Sequence, residues 1–287
     1  MRWLRAPAKV NLTLRVLARR RDGLHEIESL VAFAGICDWL GYESGETLAI
    51  DVEGPTAGEA GPIDDNLVLA AARALERRVP GLKLGRFRLI KRLPAAAGLG
   101  GGSSDAAAAL RALAEANRLS LDDEAVRAAA LETGADVPVC LCPRARLMRG
   151  IGEKLSDPIA LPPTFALLVN PRVAAPTRMV FAALGLEPEE RFEPPRPPPK
   201  FDGIAPLSLA TLALAGNDLE AGAIRVAPEI AATLKRLQSL PDARAARMSG
   251  SGATSFALFD NRRSAERARR AIAAERPGWW VKATTLR

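Results

Sequence analysis

The stretch P-A-A-A-G-L-G-G-G-S-S-D-A-A-A-A-L-R-A-L-A-E-A-N, Pro94 to Asn117, decides how this chain is read. Gly98, Gly100, Gly101 and Gly102 are followed at once by Ser103, Ser104 and Asp105, then by an Ala/Leu run free of Gly and Pro. Ala and Leu are strong helix formers, and Ser or Asp at the junction is a preferred N-cap. Upstream, Phe87 to Arg92 (F-R-L-I-K-R) reads as a short strand. The unit is therefore strand, glycine loop, helix. Glycine lets the backbone turn sharply and approach a ligand closely, and Gly101 is expected to leave no room for a side chain if the backbone wraps phosphate. A helix start adds unpaired N–H groups and about half a positive charge. Together these make an anion site, most often for phosphate.

Two familiar glycine patterns do not fit. The Walker loop needs a Lys after its glycines, and none follows here. The dinucleotide pattern fails because Ser103 stands at the third glycine. Alone, the cluster could equally be a flexible linker before an Ala-rich helix, so the rest of the chain must decide.

With 287 residues, 48% hydrophobic and 25% charged, the composition is that of one large or two ordinary globular domains. The net charge of +7, mostly from Arg, suits an anionic substrate or nucleic acid. Aromatics are only 5% and no basic cluster is interleaved with them, so nucleic-acid binding rests on net charge alone. Arg19 to Arg21 reads as solvated surface. Cys37, Cys140 and Cys142 are odd in number, and the C-x-C lacks a second ligand pair for zinc. Disulfides and a dedicated metal site are not expected. The N-terminus lacks an apolar core of signal length, and no run reaches the roughly 18 apolar residues of a membrane span. The expected setting is the cytoplasm, with no membrane partner.

Ala8 to Leu17 alternates: Val10, Leu12, Leu14 and Val16 on one face, Lys9, Asn11, Thr13 and Arg15 on the other, the period of a half-buried strand. Lys9 and Asn11 then project side by side, and a plain surface lysine is the default reading. Asp22-Gly23 is a hairpin turn, followed by a strand near Ser29 to Gly35. His25 is the single histidine, so a multi-His metal site is excluded and a general base is more naturally a carboxylate. Thr47 to Val52 reads as a strand, and Asp64 or Asp65 as the cap of a helix reaching about Arg78. Asp122 to Thr133 reads as a helix closing on Gly134. Pro138 is expected to hold Val137 extended, placing Asp136 at a helix-to-strand junction. An Asp there commonly does no more than bond a turn N–H.

A domain boundary is placed near Pro158, dividing the chain into 1–157 and 158–287. In the second half a strand spans Phe165 to Asn170. Helices are expected at Leu207 to Leu214, Asn217 to Ile224 and Pro228 to Leu240, with a Pro-rich loop at Pro194 to Pro199. Ser249-Gly250-Ser251-Gly252 is a second glycine loop. A strand from Ala253, a helix from Ser264 to Glu275 and a last strand from Trp280 complete an α+β pattern.

Three blocks in order, P-A-K-V-N-L (Pro7 to Leu12), the Pro94 to Ala106 loop and Met248 to Phe259, resemble the GHMP kinases, with D-G-L-H-E and G-A-D-V-P as further matches. The resemblance spans the chain. It implies an α+β, two-domain GHMP kinase fold, with a ribosomal-protein-S5-like N-terminal domain and a ferredoxin-like C-terminal domain and substrate in the cleft between them. It implies a soluble small-molecule kinase using ATP and Mg²⁺, monomeric or homodimeric. The acceptor would be the 2-hydroxyl of a cytidine diphospho-sugar alcohol. Lys9 and Asp136 would be the catalytic pair. Pro94, Ala95, Ala96, Ala97, Gly98, Leu99, Gly100, Gly101, Gly102, Ser103 and Ser104 would wrap the ATP phosphates. Asn11, His25, Phe181 and the loop Gly250, Ser251 and Gly252 would meet the substrate. One departure stands out: the family's usual D-G-Y-H tyrosine, which stacks on the cytosine, is Leu24 here, while Phe181 keeps the second stacking aromatic. Homoserine- or mevalonate-type kinases share the phosphate loop and stay open as sister readings.

Overall fold

The computed structural model describes residues 1–192, 212 and 215–287. The expected Pro194 to Pro199 loop and most of the Leu207 to Leu214 helix lie outside the described residues. In chain order the elements are β1 (Arg2–Asn11), β2 (Arg15–Arg19), β3 (His25–Ser44), β4 (Ala49–Glu53), α1 (Leu67–Glu76), β5 (Gly85–Ile90), α2 (Gly101–Ala116), α3 (Glu124–Thr133) and α4 (Val137–Leu141). Then follow β6 (Arg146–Gly150), β7 (Lys154–Leu155), β8 (Thr164–Asn170), α5 (Thr177–Ala182), α6 (Glu220–Val226), α7 (Glu229–Gln238), β9 (Ala245–Met248), β10 (Ser255–Phe259), α8 (Arg262–Glu275) and β11 (Trp280–Leu286).

The chain forms two compact, interleaved units. The first comprises Met1–Lys9, Ile36–Ala95 and Gly100–Pro143; the second comprises Val10–Gly35, Ala96–Leu99 and Arg144–Arg287. In the first, β5 lies between its neighbours: antiparallel to the end of β3 (Trp39↔Ile90 to Ser44↔Gly85) and parallel to β4 (Ala49↔Arg86 to Glu53↔Ile90). Phe87 and Leu89 alternate inward along β5 and are buried, which is the half-buried strand period seen from its apolar side. Helices α1, α2, α3 and α4 pack together. Ala106, Ala107, Ala108 and Ala109 on α2 are all buried. A helix apolar all round must be covered all round, and alanines let its neighbours approach closely. Each fully buried large side chain, such as Leu110 or Leu113, contributes about 1.5–3 kcal/mol.

The second unit is built on the antiparallel order β11-β8-β10-β9. Leu167 of β8 stands opposite Ala257 of β10 and Ala283 of β11, which fixes the register of the central strands. Leu167, Val169, Ala257, Phe259 and Val281 form one face and bury it against Ala265, Ala268 and Ile272 of α8 and Leu237 beyond them. The start of β3 pairs with β2 around the Asp22-Gly23 turn and with β6 on its other side.

Several boundaries differ from expectation. The first alternating segment is two strands, and its polar face is not at the surface: Lys9, Asn11 and Thr13 are buried along with Val10, Leu12 and Leu14. The α1 cap is Asn66, whose side chain accepts from Val68 N at 3.0 Å; Asp64 and Asp65 sit in the preceding 3-10 turn. Asn presents its acceptor one residue nearer the helix. α2 begins at Gly101 on Gly100 in the left-handed region, so Ser103, Ser104 and Asp105 are helical and none caps. Gly134 closes α3 in an extended conformation rather than a left-handed one. Val137 is helical, not extended, and opens α4 with Pro138 in its first turn. Proline is tolerated there, and burying Val137, Val139 and Cys140 outweighs the pre-proline preference.

A charged cluster lies inside the first unit. The Lys91 ammonium is 2.5 Å from Asp38 Oδ2 and 2.7 Å from Asp105 Oδ2, and all three side chains are buried. Two carboxylates share one ammonium, so the cluster carries one excess negative charge when both are ionised. Burial pushes the Asp105 carboxyl up to about 7, against the pull of Lys91 and with the repulsion of Asp38. Burial opposes the Lys91 charge too, but Asp105 and Asp38 together raise its pKa.

The sign for stability follows from a folded pKa above the unfolded one. The Asp105 contribution is fully present below the ordinary carboxylate value and is lost as pH rises through about 7. Asp105→Asn keeps an acceptor for Lys91 and removes the excess charge. Urea unfolding at pH 5 and pH 8 should show the Asn variant more stable than the parent at pH 8 by about 1–3 kcal/mol, with the gap shrinking at pH 5. A gap that widens at pH 5 would contradict this assignment.

Candidate active site

Lys9 sits near the end of β1, with its ammonium 3.0 Å from Asp136 Oδ2. The lysine side chain is 5% exposed and the aspartate side chain 39%. A cation whose stem is buried thus presents its head to a carboxylate that still reaches solvent. Asp136 occupies the N-cap of α4, yet its side chain makes no capping hydrogen bond. The bland reading of this residue, an Asp spent on a turn N–H, is therefore not what the fold does with it. The turn is closed instead by Val137 N donating to Gly134 O at 3.0 Å.

Gly100 belongs to the same arrangement. A Cβ on it would lie 3.1 Å from Lys9 Cε and 3.3 Å from Lys9 Cβ, and its φ of +58° is strained for any L side chain. Glycine lets the Lys9 stem pass under the start of α2. The N–H groups of Gly101, Gly102 and Ser103 open that helix and have no carbonyl one turn back within it, the condition for an anion site. Ser104, expected among the phosphate-wrapping residues, is spent on the fold: its hydroxyl donates to Pro7 O at 2.7 Å and meets Cys140 Sγ at 3.3 Å. This ties α2 to the strand of Lys9 and to the helix of Asp136. Burial pushes the Cys140 thiol up to about 12, so it is inert filler. Among the protein's own atoms a Cβ on Gly101 meets nothing nearer than 3.6 Å, so a bar to a side chain there would have to come from bound phosphate.

Within the second unit the two glycine loops are joined. Ser249 Oγ donates to Gly98 O at 2.8 Å and accepts from Asn11 N at 3.0 Å, while Thr254 N donates to Ala97 O at 3.1 Å. A Cβ on Gly98 would lie 2.3 Å from Ser249 O, with φ at +71°. Backbone passes so close to backbone here that no side chain fits. Ala97 and Leu99 are buried, leaving Ala96 exposed at the loop tip. Asn217, which sequence reasoning missed, donates to Met248 O at 2.9 Å and Gly250 O at 2.8 Å and so fixes the second loop. The hydroxyls of Ser251 and Thr177 are 2.8 Å apart.

The Asn11 side chain is buried and donates to Ser29 Oγ at 2.7 Å, and Ser29 Oγ donates to Thr13 O at 2.5 Å. His25 and Phe181 come together, their ring centroids 4.6 Å apart and tilted by 33°. Burial, then the nearby Arg19 charge, lower the His25 pKa below 6.5, so the imidazole is neutral at pH 7. Leu24 is 47% exposed and Met179 56%, so the neighbours of the ring pair in sequence are open apolar residues. Lys91, Asp38 and Asp105 also escaped sequence reasoning. An Asp inside the apolar run V-A-F-A-G-I-C-D-W-L was the available signal. Among the described residues no three His, Cys, Asp or Glu side chains gather as a metal site. No described helix is long and apolar enough to cross a membrane.

Residues 66–144 match the family described as GHMP kinases N terminal domain, and residues 205–277 match GHMP kinases C terminal. A 4-diphosphocytidyl-2-C-methyl-D-erythritol kinase of Xanthobacter autotrophicus is 58% identical over 99% of this chain and 98% of its own length. One of the same name from Azorhizobium caulinodans is 57% identical, over 99% and 98%. A crystal structure of 4-(cytidine 5'-diphospho)-2C-methyl-D-erythritol kinase, 34% identical, superposes with a TM-score of 0.77 over 99% of both chains. Homoserine kinase from Cytophaga hutchinsonii, at 17% identity and a TM-score of 0.69 over 98% and 93% of the two chains, shares the fold. By its sequence, its two-part α+β architecture and its glycine-started helix beside a lysine–aspartate pair, the chain belongs to the GHMP kinase family.

Proposed function

We propose that the chain transfers the γ-phosphoryl group of ATP to the 2-hydroxyl of 4-diphosphocytidyl-2-C-methyl-D-erythritol, in isoprenoid precursor synthesis by the non-mevalonate route. The observation that carries the chemistry is the Lys9–Asp136 pair, 3.0 Å apart, with the carboxylate left free of capping duty. The choice of acceptor is supported by the names of relatives 50–58% identical over nearly the full length. It is supported also by the His25–Phe181 ring pair, which suits a nucleobase.

Asp136 accepts the proton of the acceptor hydroxyl as its oxygen bonds to the γ-phosphorus and the bond from that phosphorus to the β–γ bridging oxygen breaks, releasing ADP. Lys9 holds that carboxylate in place and offsets charge on the transferring group. The N–H groups of Gly101, Gly102 and Ser103 bind phosphate oxygens, assisted by the α2 dipole. Mg²⁺ enters with ATP as part of the substrate. The neutral His25 offers one donor and one acceptor to the cytosine edge, and Phe181 offers a ring face. Leu24 contributes apolar contact where the family tyrosine would stack. We assign nucleotide binding and catalysis to 1–157 and much of acceptor binding to 158–287, and place the enzyme in the cytoplasm.

Asp136→Asn should lower kcat by at least ~10²-fold, the scale of a lost general base, with ATP affinity retained; turnover near that of the parent would remove Asp136 from its role. Gly98→Ala forces a side chain onto Ser249 O at positive φ, whereas Gly101→Ala meets only ordinary contacts. Thermal melts should therefore show Gly98→Ala far more damaging than Gly101→Ala, and equal melting points would contradict the joined-loop geometry. Base stacking is worth roughly 1–3 kcal/mol per ring, so Phe181→Ala should raise KM for the cytidine substrate about 5- to 100-fold, with KM for ATP little changed. Since burial and then Arg19 lower the His25 pKa from its ordinary value, that KM should change with pH on the acid side of neutrality and not above it. A break above pH 7 that is lost in His25→Gln would contradict a neutral His25.

A further inference from the structure

Lys91, Asp38 and Asp105 stand at both ends of the segment that leads into the phosphate helix. At its entry, Asp38 Oδ1 accepts from the backbone N–H groups of Arg92 and Leu93, at 2.5 and 2.9 Å. At its exit, Asp105 lies one turn into α2 and takes the Lys91 ammonium at 2.7 Å. The same ammonium is 2.5 Å from Asp38 Oδ2, so both ends are pinned at one point. That point lies against Gly101: a Cβ there would be 3.6 Å from Lys91 Nζ and 3.8 Å from Asp38 Oδ2. Lys91 is held in turn by its own N–H donating to Glu53 O at 2.7 Å, and Leu93 by its carbonyl accepting from Thr56 Oγ1 at 2.9 Å.

A core that needed only stability has little reason for this arrangement. Two carboxylates and one ammonium are buried with a net charge, and Asp105 Oδ1 has no hydrogen-bond partner among the described residues. An apolar cluster of equal volume is commonly as stable or more so. Charge-assisted hydrogen bonds in a dry site differ from apolar contacts in being directional, fixing orientation as well as separation. The direction fixed here is that of the first turn of α2, whose N–H groups must meet phosphate oxygens within a few tenths of an ångström.

We propose that Lys91, Asp38 and Asp105 are positioning residues for ATP: they act through the α2 start, setting the aim of its N–H groups, and do not contact the acceptor. This rests on the kinase reading above. It separates from a plain structural role because a positioning role falls on one substrate. A folding role reduces the folded fraction, which lowers apparent kcat and leaves both KM values unchanged.

The test measures ATP affinity by calorimetry and both KM values by steady-state kinetics, for the parent, Asp105→Asn and Asp105→Ala, each normalised to its folded fraction from thermal melts. Asp105→Asn keeps an acceptor for Lys91 and should leave the ATP Kd and KM within about threefold of the parent. Asp105→Ala releases Lys91 from α2 and should raise both by about tenfold or more, with KM for the acceptor within twofold. Should Asp105→Ala not fold, Lys91→Met/Asp38→Asn/Asp105→Leu removes all three charges together and should show the same loss of ATP affinity. A folded Asp105→Ala or triple variant that binds ATP as the parent does overturns the proposal, as does an equal rise in both KM values. A parent chain that binds no ATP overturns the kinase reading and this inference with it.

Discussion

The buried bond network of Lys91 with Asp38 and Asp105 is the constraint on which the first unit turns. It joins the start of α2 to the end of β5 and the long strand β3, two strands that are themselves paired through their backbones. Apolar contact sets distance and tolerates sliding; a shared ammonium does not. With α2 fixed, Gly100 must take a left-handed turn to enter it, and only then does the Lys9 stem have room beneath. Ser104 completes the connection by holding the strand of Lys9 and the helix of Asp136 to the same α2 surface.

The second unit obeys a backbone constraint instead. Gly98 and Ser249 approach so closely that one lacks a side chain and the other spends its hydroxyl on holding the first in place. Asn217 then fixes the carbonyls of Met248 and Gly250. The antiparallel sheet beneath, with α8 across its face, gives these loops a rigid base. Leu24 and Met179, close to the ring pair in sequence, are exposed.

Much of this was legible in the sequence because local chemistry and global role coincide. The glycine loop reads as a turn into a helix whether or not phosphate is considered, and Asp22-Gly23 reads as a hairpin on any account. Other features were hidden for physical reasons. Alternation from Ala8 to Leu17 marks one face as polar but does not say that the polar face is buried too, as Lys9 and Asn11 are. The rule for a residue before proline is a local preference, and the buried packing of Val137, Val139 and Cys140 overrode it. Asp38, Lys91 and Asp105 are far apart in the chain, and no periodicity announces a three-way ion bond. Asp105 looked like a helix cap because caps are short-range and visible, whereas its true partner comes from the strand before the loop.

Which alcohol the chain phosphorylates is the point on which the rest depends. The decisive measurement is phosphorus NMR of reactions containing ATP and, separately, 4-diphosphocytidyl-2-C-methyl-D-erythritol, homoserine or mevalonate. The account predicts a new phosphomonoester resonance, coupled to ADP formation, only with the cytidine compound. Phosphorylation of homoserine or mevalonate with the cytidine compound left untouched would contradict it.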